Sequence, residues 1–230
     1  MRDQVVAPAA ARVALLAGAT GLVGQAVLAA LLTDKRYAAV HCVGRRALTP
    51  QHPKVFSHVA DFATLSALPG IDHVDDVFIA LGTTLKVAGS QAAFRALDFE
   101  AIVALARVGK ALGATKLAVV SALGADPSSR VFYNRVKGEM EQAVSQLGYP
   151  VLVIARPSLL SGDRDALAQT ARPAEKLGLF AMALLKPLIP ANYRPVAATQ
   201  VASAMLSAVH DTERGTRVLS SGEMQAIKSV

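Results

Sequence analysis

Three side chains in the middle of the chain could move a proton. Tyr133 and Lys137 stand four positions apart in Tyr133-Asn134-Arg135-Val136-Lys137, and Ser121 lies twelve positions upstream. On a helix, that spacing of four puts both side chains on one face. A free phenol ionises near roughly 10, too high for easy proton exchange at neutral pH. A neighbouring ammonium favours the phenolate and lowers that value. Tyr133 so placed can give a proton to a carbonyl oxygen or take one from an alcohol. Ser121 can hydrogen-bond the same oxygen and orient it. A Tyr–Lys pair also occurs on solvated helix faces. Position separates this one from those, because it falls in the helix that follows a strand ending at Ser121.

A second set of residues could hold a phosphate. Gly18-Ala19-Thr20-Gly21-Leu22-Val23-Gly24 directly follows an apolar run. Gly18 permits a tight turn, Gly21 lets backbone approach a diphosphate, and Gly24 lets the next helix sit against the strand. The helix start then offers free N–H groups and a positive dipole end. The candidate cofactor-binding residues here are Gly18, Thr20, Gly21, Leu22, Val23 and Gly24. A dinucleotide without a 2′-phosphate calls for an acid after the second strand, but the chain has Gly44-Arg45-Arg46. Guanidinium groups at Arg45 and Arg46 suit a 2′-phosphate through paired, charge-assisted hydrogen bonds. The pattern therefore reads as an NADP(H) site, whose oxidised nicotinamide would add to the effect of Lys137 on Tyr133. Asp61-Phe62 closes the third strand. Asp61 can accept from an adenine amino group, or cap a following helix, and the two roles are compatible.

These residues need a scaffold, and the chain alternates short apolar runs with helical periods. Val13–Ala17, Ala38–Val43, Val55–Ala60, Val77–Leu81, Lys116–Ser121 and Val151–Ala155 read as strands. Leu22–Leu32, Gln91–Leu112 and Ser129–Leu147 read as helices, the last two closed by Gly113 and Gly148. The alternation predicts an α/β, Rossmann-type doubly wound parallel sheet in one domain spanning 1–230. After Arg156 a series of prolines breaks the pattern. Residues 156–215 are expected as a small, irregular C-terminal cap on the substrate side, with Thr199–Val209 as one more helix and Arg217–Leu219 as a short last strand.

Composition sets bounds. The chain has 230 residues, 53% of them hydrophobic, which is enough for a large core. A net charge of +7 favours anionic ligands. The basic residues are scattered, so small phosphate ligands are preferred and no nucleic-acid partner is expected. Cys42 is the only cysteine, which fits a reducing compartment, and a cytoplasmic location is expected. Residues 1–11 lack the apolar core of a signal peptide. Leu177–Leu185 is too short to span a bilayer, which takes roughly 20 residues. It suits a core helix, a lid or an interfacial contact, and no transmembrane segment is expected. The five histidines show no metal-ligand spacing, so no metal is expected. Ser161-Gly162-Asp163-Arg164 could bind substrate, order the cap, or be plain loop. Arg194 could meet an anionic substrate or a surface acid.

Taken in order, these segments resemble the atypical short-chain dehydrogenase/reductases, and within them the small Tat-interacting-protein-like NAD(P)-binding oxidoreductases. The resemblance rests on Gly18–Gly24, Gly44-Arg45-Arg46, Asp61-Phe62, Leu81-Gly82-Thr83-Thr84, Ala88-Gly89-Ser90, Ser121–Ala125, Tyr133–Lys137 with Gly138-Glu139, and Arg156-Pro157 through Arg164. It implies an NADPH-binding domain with a catalytic Ser121, Tyr133 and Lys137. It also implies that Leu81, Gly82 and Thr83 line the cofactor and that Arg156 and Pro157 shape its nicotinamide side, with Tyr133 and Lys137 touching the cofactor too. The wider superfamily places a proton-relaying Asn in the helix before the fifth strand. Gln91–Leu112 contains none, so either a water chain replaces it or turnover is slow. The expected function is NADP(H)-dependent carbonyl reduction or alcohol oxidation on a small-molecule substrate, by a monomer or homodimer. The alternative is an NADP(H)-binding regulatory or redox-sensor protein acting through a protein partner.

Overall fold

The computed structural model describes residues 11–49, 52–161 and 190–227. The apolar runs become β1 (Arg12–Ala17), β2 (Tyr37–Gly44), β3 (Val55–Val59), β4 (Asp76–Ile79), β5 (Lys116–Val120) and β6 (Val151–Arg156). With a later strand, β9 (Gly215–Ser220), they form a seven-stranded parallel sheet in the order β3-β2-β1-β4-β5-β6-β9. Strands buried on both faces need no polar alternation, and β4 and β6 have almost none. The chain winds outward from β1 to β3, then returns to the other side of β1 for β4. That reversal leaves a crevice at the carboxyl ends of β1 and β4.

Helices cover both faces. On one side α1 (Leu22–Thr33) packs Val23, Val27 and Leu31 toward α6 (Ala198–Asp211), which answers with Val201, Met205 and Val209. On the other side lies a helix in three parts. These are α3 (Gln91–Arg95), a π-helical turn (Ala96–Ala101) and α4 (Ile102–Ala111). It is preceded by the single turn α2 (Leu85–Ala88). Beside it runs α5 (Phe132–Ser145), and Leu105, Met140 and Val144 share the second core.

Two expected helices differ in detail. The stretch Gln91–Leu112 is one continuous path, capped by the Ser90 hydroxyl accepting from Ala93 N–H at 3.1 Å. Its middle is π-helical, which no periodicity announced. The second begins at Phe132, not Ser129, because the Asp126 carboxylate accepts from Ser128 N–H at 2.8 Å and holds a turn there.

The helix expected at Thr199–Val209 forms as Ala198–Asp211, and Val201, Met205 and Val209, recurring every four residues, set it on the sheet and not in a cap. The chain then adds β9 (Gly215–Ser220) to the sheet edge beside β6, followed by α7 (Ser221–Ala226). What remains near the crevice is a two-stranded piece of β7 (Leu160–Ser161) and β8 (Val196–Ala197), with a 3-10 turn at Ala191–Tyr193. The readings of Leu177–Leu185 and of Gly162–Arg164 fall outside the described residues. Among the described residues no helix is long and apolar enough to cross a membrane.

The far end of the sheet is tied by charge. Arg12 at the start of β1 donates twice, at 2.6 Å each, to fully buried Asp76 at the start of β4. The Tyr37 hydroxyl donates to the same carboxylate at 2.7 Å. Removing one partner of such a network leaves the others buried and uncompensated. Asp76→Ala is therefore expected to cost about 3–5 kcal/mol of stability, read as a lower urea midpoint.

Candidate functional site

The glycine loop builds the inner end of the crevice. Gly18 adopts φ +89°, a left-handed conformation that suits glycine. Gly24 lies so close to the strand that a Cβ there would stand 1.8 Å from the Gly18 carbonyl oxygen. Only glycine permits that approach, so α1 begins directly at the end of β1. Gly21 occupies the cap position and supplies no side-chain partner, and no acid lies in the first turn. The opening N–H groups of α1 thus remain available to an anion.

Around this loop lies a cavity of about 170 Å³. Its lining includes Gly18, Thr20, Gly21, Arg45, Arg46, Phe62, Leu81 and Gly82. Arg45 and Arg46 are exposed on its rim at the end of β2. Asp61 is absent from this lining. It accepts from Ala63 N–H at 3.0 Å inside a turn, and no helix follows for it to cap.

A second cavity of about 380 Å³ continues from the same Gly21, Leu81 and Gly82. Leu22, Val23, Thr83, Ser121, Tyr133, Lys137 and Pro157 line it. The strands explain the convergence: β4, β5 and β6 each release their chain on the same side of the sheet. Arg156 does not line either cavity. Its guanidinium turns back to Glu141, with Nε donating to Oε1 at 2.9 Å and Nη2 to Oε2 at 2.5 Å.

The proton-moving trio has partners the sequence did not announce. Ser121 is 4% exposed, and its hydroxyl donates to Glu141 Oε1 at 2.5 Å. With its proton committed there, Ser121 presents lone pairs to the cavity. It can orient a hydroxyl group, whereas polarising a carbonyl oxygen, the role first expected of it, would require breaking that bond. Lys137 Nζ lies 2.8 Å from Asp98 Oδ1, and both side chains are buried. Asp98 Oδ2 accepts from Thr83 N–H at 2.9 Å, which ties the Leu81–Thr84 loop to the helix. Half-buried Tyr133 packs against Phe94, ring centres 5.4 Å apart. Burial first, and then the Asp98 charge, push its phenol up to about 12. Gly138 lets α5 pack on the preceding loop, since a Cβ there would meet Asp126 and Pro127 backbone at 2.2 Å.

Asp98 and Glu141 are the candidate site residues missed in the sequence. Asp98 lies between Phe94 and Ile102 on an otherwise apolar face, a signal that was available, whereas Glu141 shares its face with Lys137.

Comparison with known proteins gives a consistent picture. No protein-family model matches the chain. It is 33% identical over 214 residues to the protein FMP52, mitochondrial, of Coccidioides immitis, covering 87% of each chain. It is 35% identical over 164 residues to the protein HTATIP2 of Rattus norvegicus, covering 70% of this chain and 66% of that one. Among solved structures it resembles a short chain dehydrogenase family protein from Francisella tularensis at a TM-score of 0.64 and 15% identity, covering 93% of this chain and 99% of that one. It also resembles MoeE5 in complex with UDP-glucose and NAD, at a TM-score of 0.66 and 16% identity, over 90% of this chain and 74% of that one. One expectation is overturned. The FMP52 relatives are named as mitochondrial proteins, so the cytoplasmic placement drawn from a single free cysteine does not stand. A buried thiol speaks of a reducing compartment without saying which one.

The Glu141 contacts yield a test of the architecture. Glu141→Ala frees Ser121 and leaves Arg156 without its carboxylate. The expected loss is about 1.5–3 kcal/mol, seen as a lower thermal midpoint.

Proposed function

This chain belongs to the atypical short-chain dehydrogenase/reductases, the family of the FMP52 and HTATIP2 proteins, and we propose that it works as an NADP(H)-dependent oxidoreductase on a small-molecule carbonyl or alcohol. One observation carries the reading. A single crevice runs from a glycine-lined helix N-terminus, past two arginines, to a cavity walled by Tyr133, Lys137 and Ser121.

The residues present fit a dinucleotide. Gly18–Gly24 would hold its diphosphate, since the close Gly24–Gly18 contact leaves backbone N–H groups facing the cavity. Arg45 and Arg46 would hold a 2′-phosphate, where NAD sites carry an acid. Phe62, Leu81, Gly82, Thr83 and Pro157 would flank the rest, with Lys137 beside the nicotinamide ribose. When bound, such a cofactor supplies or accepts a hydride at the substrate carbon.

The chain's own part is the proton. In carbonyl reduction the Tyr133 hydroxyl gives its proton to the substrate oxygen, and solvent restores it. In alcohol oxidation the phenolate form of the same group takes the proton up. Ser121, its own proton held by Glu141, accepts a hydrogen bond from the product hydroxyl once Tyr133 has given its proton, and sets its orientation. Leu22, Val23, Val120 and Leu160 give the cavity apolar walls, which exclude water from the reacting atoms.

Two experiments test the reading. Tyr133→Phe is expected to lower turnover in a carbonyl screen by about 10²–10⁴-fold, with NADPH affinity by calorimetry nearly unchanged. Full activity in that variant rejects the mechanism. Replacing Arg45 and Arg46 together by Ala is expected to weaken NADPH binding by about tenfold to a hundredfold, with NADH little affected. A parent protein that prefers NADH refutes the choice of cofactor.

A further inference from the structure

In the crevice wall Lys137 faces a carboxylate. Asp98 comes from the π-helical turn and is fully buried. One of its oxygens is held by Thr83 N–H at 2.9 Å and the other lies 2.8 Å from Lys137 Nζ. The latter contact has the distance of an ion pair but not the alignment of a hydrogen bond. The side chain of Lys137 is 3% exposed and that of Asp98 0%, so solvent screens neither. A π-turn widens the helix by one residue and recurs at functional positions. Here it seats an acid in the wall facing α5.

At a Tyr–Lys site the ammonium ordinarily favours the phenolate. With Asp98 in contact, its negative charge opposes that effect at Tyr133. Resting on the reading of Tyr133 as the proton-transfer group, we propose that Asp98 is a positioning residue of this site. Its carboxylate fixes the Lys137 ammonium in place of a relay side chain and opposes its effect, leaving Tyr133 a proton donor and not a standing base.

Arg135 on α5 donates to the Ser129 carbonyl at 2.9 Å, and the Asp126 carboxylate accepts from Ser128 N–H at 2.8 Å. Arg95 pairs with Glu139, and Arg156 with Glu141. Glu100 in the π-turn and Arg107 in α4 are exposed, and Lys110 reaches the Gly148 carbonyl at 2.5 Å. Burial and the Asp98 anion act on Tyr133 in the same direction, both upward. Removing the anion must therefore move the phenol's titration downward.

The test is a titration that needs no turnover. Asp98→Asn keeps an oxygen for Thr83 N–H and nearly the same volume, and removes only the charge. Tyrosine ionisation is followed by ultraviolet difference absorbance in the parent and in Asp98→Asn. Tyr133→Phe versions of both identify the Tyr133 component. The expected result is a Tyr133 midpoint lower by about 1–3 pH units in Asp98→Asn. The alkaline limb of carbonyl reduction should fall with it. An unchanged or raised midpoint overturns the proposal. If Asp98→Asn does not fold, Lys137→Gln gives the mirror test: the midpoint must rise, and a fall or no change overturns it. A shifted midpoint alongside an active Tyr133→Phe would reject the catalytic reading and leave the Asp98 electrostatics standing.

Discussion

The crevice depends on a contact that has no side chain in it. Gly24 rests on the Gly18 carbonyl at a distance where any Cβ would overlap the oxygen. That lets α1 start where β1 stops, so the helix N-terminus opens straight onto the end of the central strand. The sheet order reverses at this strand. The loops leaving β4, β5 and β6 consequently arrive on the same side and bring Leu81–Thr84, Ser121 and Pro157 to one cavity. Were α1 held off by even a methyl group, its N–H groups would stand away from the crevice. The rest of the site would then lack its anchor for a phosphate.

A second layer of the design lies in buried charge. Helix α5 carries Tyr133 and Lys137, and three ionic ties fix it: Lys137 to Asp98, Glu139 to Arg95, and Glu141 to Arg156. Charges out of water are costly unless matched, so the buried Lys137–Asp98 tie tolerates little displacement, while Arg95–Glu139 is open to solvent. Their value is geometric more than energetic. Asp98 reaches from the π-turn to both the Thr83 backbone and Lys137, while Glu141 reaches from α5 to both Ser121 and Arg156. Asp98 thus stands beside the cation in the cavity wall, and Glu141 stands behind the hydroxyl.

Local signals were readable in the chain and distant ones were not. The glycine loop was legible because its three glycines are neighbours in sequence and act on the same turn. The strands were legible because burial on both faces leaves continuous apolar runs. Asp98 carries only a local signal, an acid between buried Phe94 and Ile102 inside a core-facing stripe, and its partner Lys137 lies in another helix. Glu141 could not be assigned because Ser121 lies 20 positions away and only the fold joins them. Arg156 was read with its neighbour Pro157, yet its long side chain leaves the cavity for Glu141. Asp61 was given two roles and has a third, closing a turn on Ala63. The helix at Thr199–Val209 is legible in the chain, but the prolines before it suggest a cap off the sheet. Its own spacing of Val201, Met205 and Val209 already pointed to the sheet.

The π-turn at Ala96–Ala101 also constrains how this helix can change over evolutionary time. One surplus residue is taken up between the segment that buries Phe94 and the segment that buries Ile102 and Leu105. Losing that residue would close the turn into plain α-helix with the downstream apolar stripe still on the core, and would withdraw the bulge that seats Asp98 against Lys137. A one-residue deletion here is therefore a change that the packing tolerates and the lysine's surroundings do not.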